Sequence, residues 1–134
     1  MIVYFDTSAL LKRYLVEDGS PAIEALWNKT TRAVASEILY DEMAATFARK
    51  KREVPTDADS IEQARDTFRA EWLSMRRVDV HDDVHRRVDE LLARHALRGA
   101  DAIHLASALL VRARRSSTNY EVGRSALAGQ RRHG

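Results

Sequence analysis

The chain has no cysteine. That excludes disulfides, thiolate metal sites and a cysteine nucleophile, and it fits a reducing compartment. Proline occurs twice and glycine five times in 134 residues. There is no strong excess of one charge: 22 Lys and Arg face 20 Asp and Glu, for a net charge of +2. Total charge therefore names no partner. No apolar run is long enough to span a bilayer, and no basic segment at the N-terminus leads into a long apolar stretch. The expectation is a soluble, cytoplasmic protein without membrane attachment. A 45% hydrophobic and 31% charged composition over this length suits one compact domain with its own core.

What is present is an alternation of short apolar runs and amphipathic helices. Ile2 to Phe5 reads as a strand, and Thr7 or Ser8 can cap a helix carrying Leu10, Leu11, Tyr14 and Leu15. Ser20-Pro21 is a second helix start. Thr31 to Ala35 reads as a strand, after which Ser36 caps a helix running to about Arg52. Pro55 breaks the chain, and Thr56 or Asp57 opens a helix with Ile61, Ala64, Phe68, Trp72 and Met75. Val78 to Val80 is the third expected strand, and Asp82 or Asp83 starts the next helix. Gly99 marks a turn before a helix from about Ala100 to Arg115, and Tyr120 to Val122 is the fourth expected strand. Few short strands among many helices predict an α/β sandwich around a mostly parallel sheet. Residues 123–134 read as a poorly structured basic tail.

Three acids stand where packing alone does not want them. Asp6 ends the first apolar run, at the carboxyl end of a strand, where open α/β sheets gather their ligand sites. Taken alone it could cap the first helix. Glu42 lies four residues after Ile38, within or beside an apolar stripe through Leu39, Met43, Ala45, Thr46 and Phe47. It could equally be an edge-of-core side chain with its head in water. Asp101 sits in a first helical turn, a favourable place for an acid. His104 lies on nearly the same face and reads as a packed or hydrogen-bonded residue before it reads as a ligand. Carboxylates brought together repel and raise one another's pKa values. A hard divalent cation removes that conflict, and an all-oxygen ligand set selects Mg²⁺ or Mn²⁺ over Zn²⁺. Ser8 can orient Asp6.

The stretches FDTSALLKRYLVEDGS, ASEILYDEMAATFARK and LRGADAIHLASALL resemble the PIN-domain nucleases, in particular the VapC toxins of bacterial toxin–antitoxin pairs. Arg98, Asp101, Ala102, His104 and Ala106 stand where that family has them. The resemblance covers about residues 1 to 115. It implies a PIN-like three-layer α/β/α sandwich, helix-rich, with the nuclease domain over residues 1–122. It also implies a Mg²⁺- or Mn²⁺-dependent endoribonuclease, a homodimer, held inactive by a cognate VapB-like antitoxin. By position, Asp6, Glu42 and Asp101 match the first three acids, and Ser8 matches the supporting hydroxyl. Arg98 and the Arg112, Arg114, Arg115 cluster are candidate contacts to the RNA backbone.

The sequence departs from the family after Val122. A fourth acid in a Thr/Ser-x-Asp turn is expected there, but residues 123–134 contain no Asp. This motivates the expectation of a truncated or frame-altered C-terminus, and a second reading: a catalytically weak or inactive domain that binds an antitoxin or pairs with itself. Two other chemistries place Asp after a strand. A phosphoacceptor receiver domain needs a Lys at a later strand end, and Lys12, Lys29, Lys50 and Lys51 do not supply it. A haloacid-dehalogenase phosphatase needs Asp-x-Asp, and position 8 is Ser.

Overall fold

A computed structural model of the chain describes residues 1–114. The expected strand at Tyr120 to Val122 and the tail at 123–134 lie outside those residues, as does Arg115. The described elements run β1 (Ile2–Tyr4), α1 (Thr7–Tyr14), α2 (Ser20–Lys29), β2 (Arg32–Ser36), α3 (Leu39–Glu53), a 3₁₀ turn (Pro55–Asp57), α4 (Ala58–Trp72), β3 (Arg76–Val78), α5 (Asp82–Arg94) and α6 (Gly99–Ala113). The three strands are parallel in the order β1-β2-β3. Parallel strands need crossovers; the helices between the strands, α1 to α4, supply these and pack on one face, while α6, after β3, covers the other, which is the three-layer α/β arrangement. No helix among the described residues is long and apolar enough to cross a membrane.

Side chains alternate across each strand and sort the two faces. Val3, Phe5 and Ala35 join Leu10, Leu39, Met43, Phe47, Phe68 and Trp72 in the larger core. Tyr4 and Val34, paired in register, point the other way and join Ala108 and Val111 of α6. On the larger face, Arg13 ties α1 to its neighbours. Its guanidinium lies 4.1 Å from the Trp27 ring centroid and forks to Glu24 and Glu71.

Two boundaries and one cap differ from the sequence reading, each for a local reason. The third strand is Arg76–Val78, two residues earlier than expected. Its place is set by the ladder to β2, in which Val34, Ala35 and Ser36 pair with Arg76, Arg77 and Val78. It is an outer strand of the described sheet and its arginines are exposed, with Arg77 laying its guanidinium 4.4 Å from the Trp72 ring centroid. The Ser20-Pro21 helix begins as expected, but the cap position is Gly19 at φ +90°, a conformation that favours glycine. Helix α3 begins at Leu39, because Ser36 is still paired in β2, and the Ser36 hydroxyl takes the Ile38 N–H at 3.4 Å instead of sitting at the cap.

Candidate active site

Asp6 caps α1. Its Oδ1 accepts the Ala9 N–H at 2.9 Å and the Ser8 hydroxyl at 3.3 Å, so the cap is Asp6 and not Thr7 or Ser8. The two readings of Asp6 are therefore compatible, since capping uses one oxygen and Oδ2 makes no hydrogen bond among the described residues. Asp6 is only 7% exposed. Burial raises its carboxyl above the ordinary range. The Ala9 N–H, the pull of His104, the Ser8 hydroxyl and the charge of Lys12 offset that only in part. The result is a buried acid whose negative charge is incompletely compensated by the chain itself.

Glu42 borders the buried stripe of α3. Leu39, Met43 and Phe47 form the stripe, whereas Ala45, expected within it, is exposed. Glu42 Oε1 accepts the Thr7 hydroxyl at 2.7 Å and lies 2.5 Å from His104 Nε2. Burial alone would raise its carboxyl. The hydrogen bonds from His104 and Thr7, with the electrostatic pull of His104 and Arg98, outweigh burial and leave it lowered. Two acids at one end of the sheet thus have opposite environments, Asp6 favouring its proton and Glu42 its charge.

His104 is 6% exposed and bonded on both sides. Its Nδ1 lies 3.3 Å from the Tyr4 hydroxyl, and its Nε2 lies 3.1 Å from Thr7 Oγ1 as well as against Glu42. It is a packed, hydrogen-bonded histidine, as its position on the helix implied. Thr7 and Tyr4 were not singled out as site residues from the sequence. The signal for Tyr4 is a hydroxyl inside the apolar run Ile2 to Phe5, and for Thr7 it is adjacency to Asp6.

Asp101 stands one turn before His104 on α6. Its Oδ2 accepts the Arg98 Nε at 3.2 Å, in a pair whose arginine is largely in water. Arg98 caps the helix and its charge also reaches Glu42. Asp6 and Glu42 share His104 as a neighbour, and Asp101 lies one turn before that histidine on the same helix. Among the described residues, no three His, Asp or Glu side chains form a set close enough to hold a metal ion. The donors on offer are nonetheless all oxygen, and Asp6, buried with one oxygen unbonded, is the kind of ligand a hard divalent cation takes.

The basic cluster is elsewhere. Arg112 and Arg114 follow Asp101 by eleven and thirteen residues, which puts Arg114 about 20 Å away along the helix axis. Arg112 is exposed, and Arg114 pairs with Asp83 of α5 at 3.2 Å. An RNA touching both the acids and these arginines would have to run along α6.

Two proteins of Mycobacterium tuberculosis resemble this chain closely. Ribonuclease VapC45 of strain CDC 1551 / Oshkosh is 37% identical over 110 residues, which cover 82% of this chain and 76% of that protein. Ribonuclease VapC49 of strain ATCC 25618 / H37Rv matches to the same extent. The PIN domain family model matches residues 3–119, a span that holds Asp6, Glu42, His104 and Asp101 together with β2, β3 and all of β1 but Ile2. With the parallel sheet, the acids at its carboxyl end and these two relatives in agreement, the chain belongs to the PIN-domain family.

Proposed function

We propose that this protein is a divalent-metal-dependent endoribonuclease that hydrolyses RNA phosphodiester bonds, acting as the toxin of a toxin–antitoxin pair. The observation that carries the reading is the buried Asp6 carboxyl at the end of β1, with Glu42 held beside the same histidine. The printed activity of both mycobacterial relatives, ribonuclease, supports it.

Asp6, with Glu42 and Asp101, would hold Mg²⁺ or Mn²⁺, which when bound supplies Lewis acidity towards the phosphate and lowers the pKa of water. Ser8 steadies Asp6 through Oδ1. Glu42, whose hydrogen bonds favour its charged form, is the group to accept the proton of the attacking water. Arg98, beside Asp101, can meet a backbone phosphate, Arg112 and Arg114 would extend that contact along α6, and Arg115 is a further candidate by its sequence position. The partners in this reading are an RNA substrate, a VapB-like antitoxin that covers the acids, and a second copy of the chain.

Thermal unfolding with and without millimolar Mn²⁺, together with an RNA cleavage assay using Asp101→Asn as control, tests the proposal. Binding to the folded acids raises the midpoint by mass action. An unchanged midpoint overturns the metal site. A raised midpoint with no cleavage, wild type and control alike, would instead support the reading of a weak or inactive domain that binds an antitoxin.

A further inference from the structure

His104 uses both of its ring nitrogens, and the partners decide which carries the hydrogen. Glu42 offers only an acceptor oxygen to Nε2, and the hydroxyl of the fully buried Tyr4 lies against Nδ1. In the neutral ring with Nε2 as donor, Nδ1 is the acceptor and takes the Tyr4 hydroxyl at 3.3 Å. Nε2 then carries the ring hydrogen and donates it to Glu42 Oε1 at 2.5 Å. The Thr7 hydroxyl donates to the same oxygen at 2.7 Å.

This arrangement has two consequences. Neither ring nitrogen has a lone pair left for a cation, so His104 is not itself a ligand here. Glu42 Oε1 is committed to two donors, whereas Oε2 makes no hydrogen bond among the described residues. Glu42 has three side-chain torsions and its side chain is 34% exposed, so an untethered carboxylate would sample several rotamers at a cost to any reaction that needs one of them. His104 has no such freedom. It is buried between Tyr4 of β1 and the packed body of α6.

We propose that His104 is a positioning residue that, anchored on Tyr4 in the core, clamps Glu42 by Oε1 and leaves Oε2 for the reaction. The proposal rests on the reading of Glu42 as a working acid of the nuclease. The clamp joins three elements distant in sequence: β1 through Tyr4, α3 through Glu42 and α6 through His104. Outer partners of this kind typically change metal affinity or activity by about 10- to 100-fold when removed.

The test compares His104→Gln, His104→Asn and Glu42→Gln with wild type. The Gln amide nitrogen reaches the place of Nε2 and can still donate to Glu42. The Asn amide ends near Nδ1 and cannot. We expect His104→Asn to lower kcat on a single-stranded RNA by about tenfold or more, with KM for RNA unchanged and the Mn²⁺ concentration at half-activation raised. We expect His104→Gln to recover most of both. Equal loss in the two variants, or none in either, overturns the clamp. A second measurement leaves the buried histidine intact. In metal-free protein the His104 Nε2 proton gives a far-downfield, slowly exchanging NMR resonance, and Glu42→Gln moves it upfield because a neutral acceptor is weaker. A resonance that does not respond overturns the clamp. Wild-type cleavage by Glu42→Gln, with the resonance shifted, instead overturns the role assigned to Glu42 in the proposed function and so removes the clamp's purpose. The two failures are thereby distinguished.

Discussion

On one face of the sheet, Val3 and Phe5 meet Phe68, Trp72, Phe47 and Met43. On the other, Tyr4 and Val34 meet Ala108 and Val111, and α6 buries Ala102, Ala106 and Ser107 as well. The first face is filled by large rings in tilted or edge contact, with Phe68 touching Tyr14, Tyr40, Phe47 and Trp72 at centroid distances of 5.5 to 6.1 Å. The second uses small side chains, which let a helix come close to the strands, and it carries the Tyr4–His104–Glu42 chain of hydrogen bonds. The difference shows a division of labour. Large apolar volume stabilises one face, and the other gives up volume so that polar groups can be held at fixed positions, at a cost in desolvation that only their mutual bonding offsets.

The sharpest way to break this contrast is Phe68→Ala. We expect a loss of about 3–5 kcal/mol in urea unfolding, with cleavage by the fraction still folded little changed. Asp6→Asn should do the reverse. Cleavage falls by roughly two orders of magnitude or more, while the metal-free protein becomes more resistant to urea, because Asn can still accept the Ala9 N–H and carries no charge to bury. Retained cleavage by Asp6→Asn would sink its assignment. Thr7→Val removes one of two donors to Glu42 at a half-buried site. A loss of roughly 1 kcal/mol in stability is expected, with a measurable fall in kcat.

The pH dependence of the metal-free protein sharpens the same contrast, because the two acids act in opposite senses. Glu42 is lowered on folding, so its stabilising contribution is present above its ordinary 4.5 and is lost as pH falls through the folded value. Asp6 is raised from its ordinary 3.8, so its contribution is present below that value and is lost as pH rises through the folded one. Urea midpoints measured from acid to neutral pH should therefore lose their acid-side fall in Glu42→Gln and their rise-side loss in Asp6→Asn. A profile unaltered by both substitutions contradicts the two environments. The smallest effect belongs to the α6 arginines. Arg112→Ala should weaken RNA binding uniformly across sequences and reduce the salt slope by about one.

Much of this was legible in order and spacing. The alternation of Ile2 to Phe5 and Thr31 to Ala35 with amphipathic helices locates β1 and β2 to within a residue, since these strands are apolar and their burial leaves a pattern. Strand β3 was misplaced because Arg76 and Arg77 carry no apolar signal. An outer strand is recognised by what it pairs with, which is not a local property. Asp6, Glu42 and Asp101 stood out as acids at element ends. That Thr7 and His104 converge on one oxygen of Glu42 did not, because these residues are 35 and 62 positions apart from it and no local period relates them.

The sequence by itself determined the alternating α/β plan, the absence of thiol chemistry, the oxygen-only donor set and the helix faces on which the acids lie. These follow from composition and from periods of two and 3.6 residues, which are local. Only the tertiary structure decided that Asp6 both caps α1 and keeps Oδ2 without a hydrogen bond among the described residues, that burial raises the Asp6 carboxyl while its partners lower that of Glu42, and that Arg112 and Arg114 sit at the far end of α6 from Asp101. Those outcomes depend on burial and on partners brought from distant elements. The pKa of a carboxyl and the tautomer of a histidine are set by what surrounds them in space, not by what flanks them in the chain.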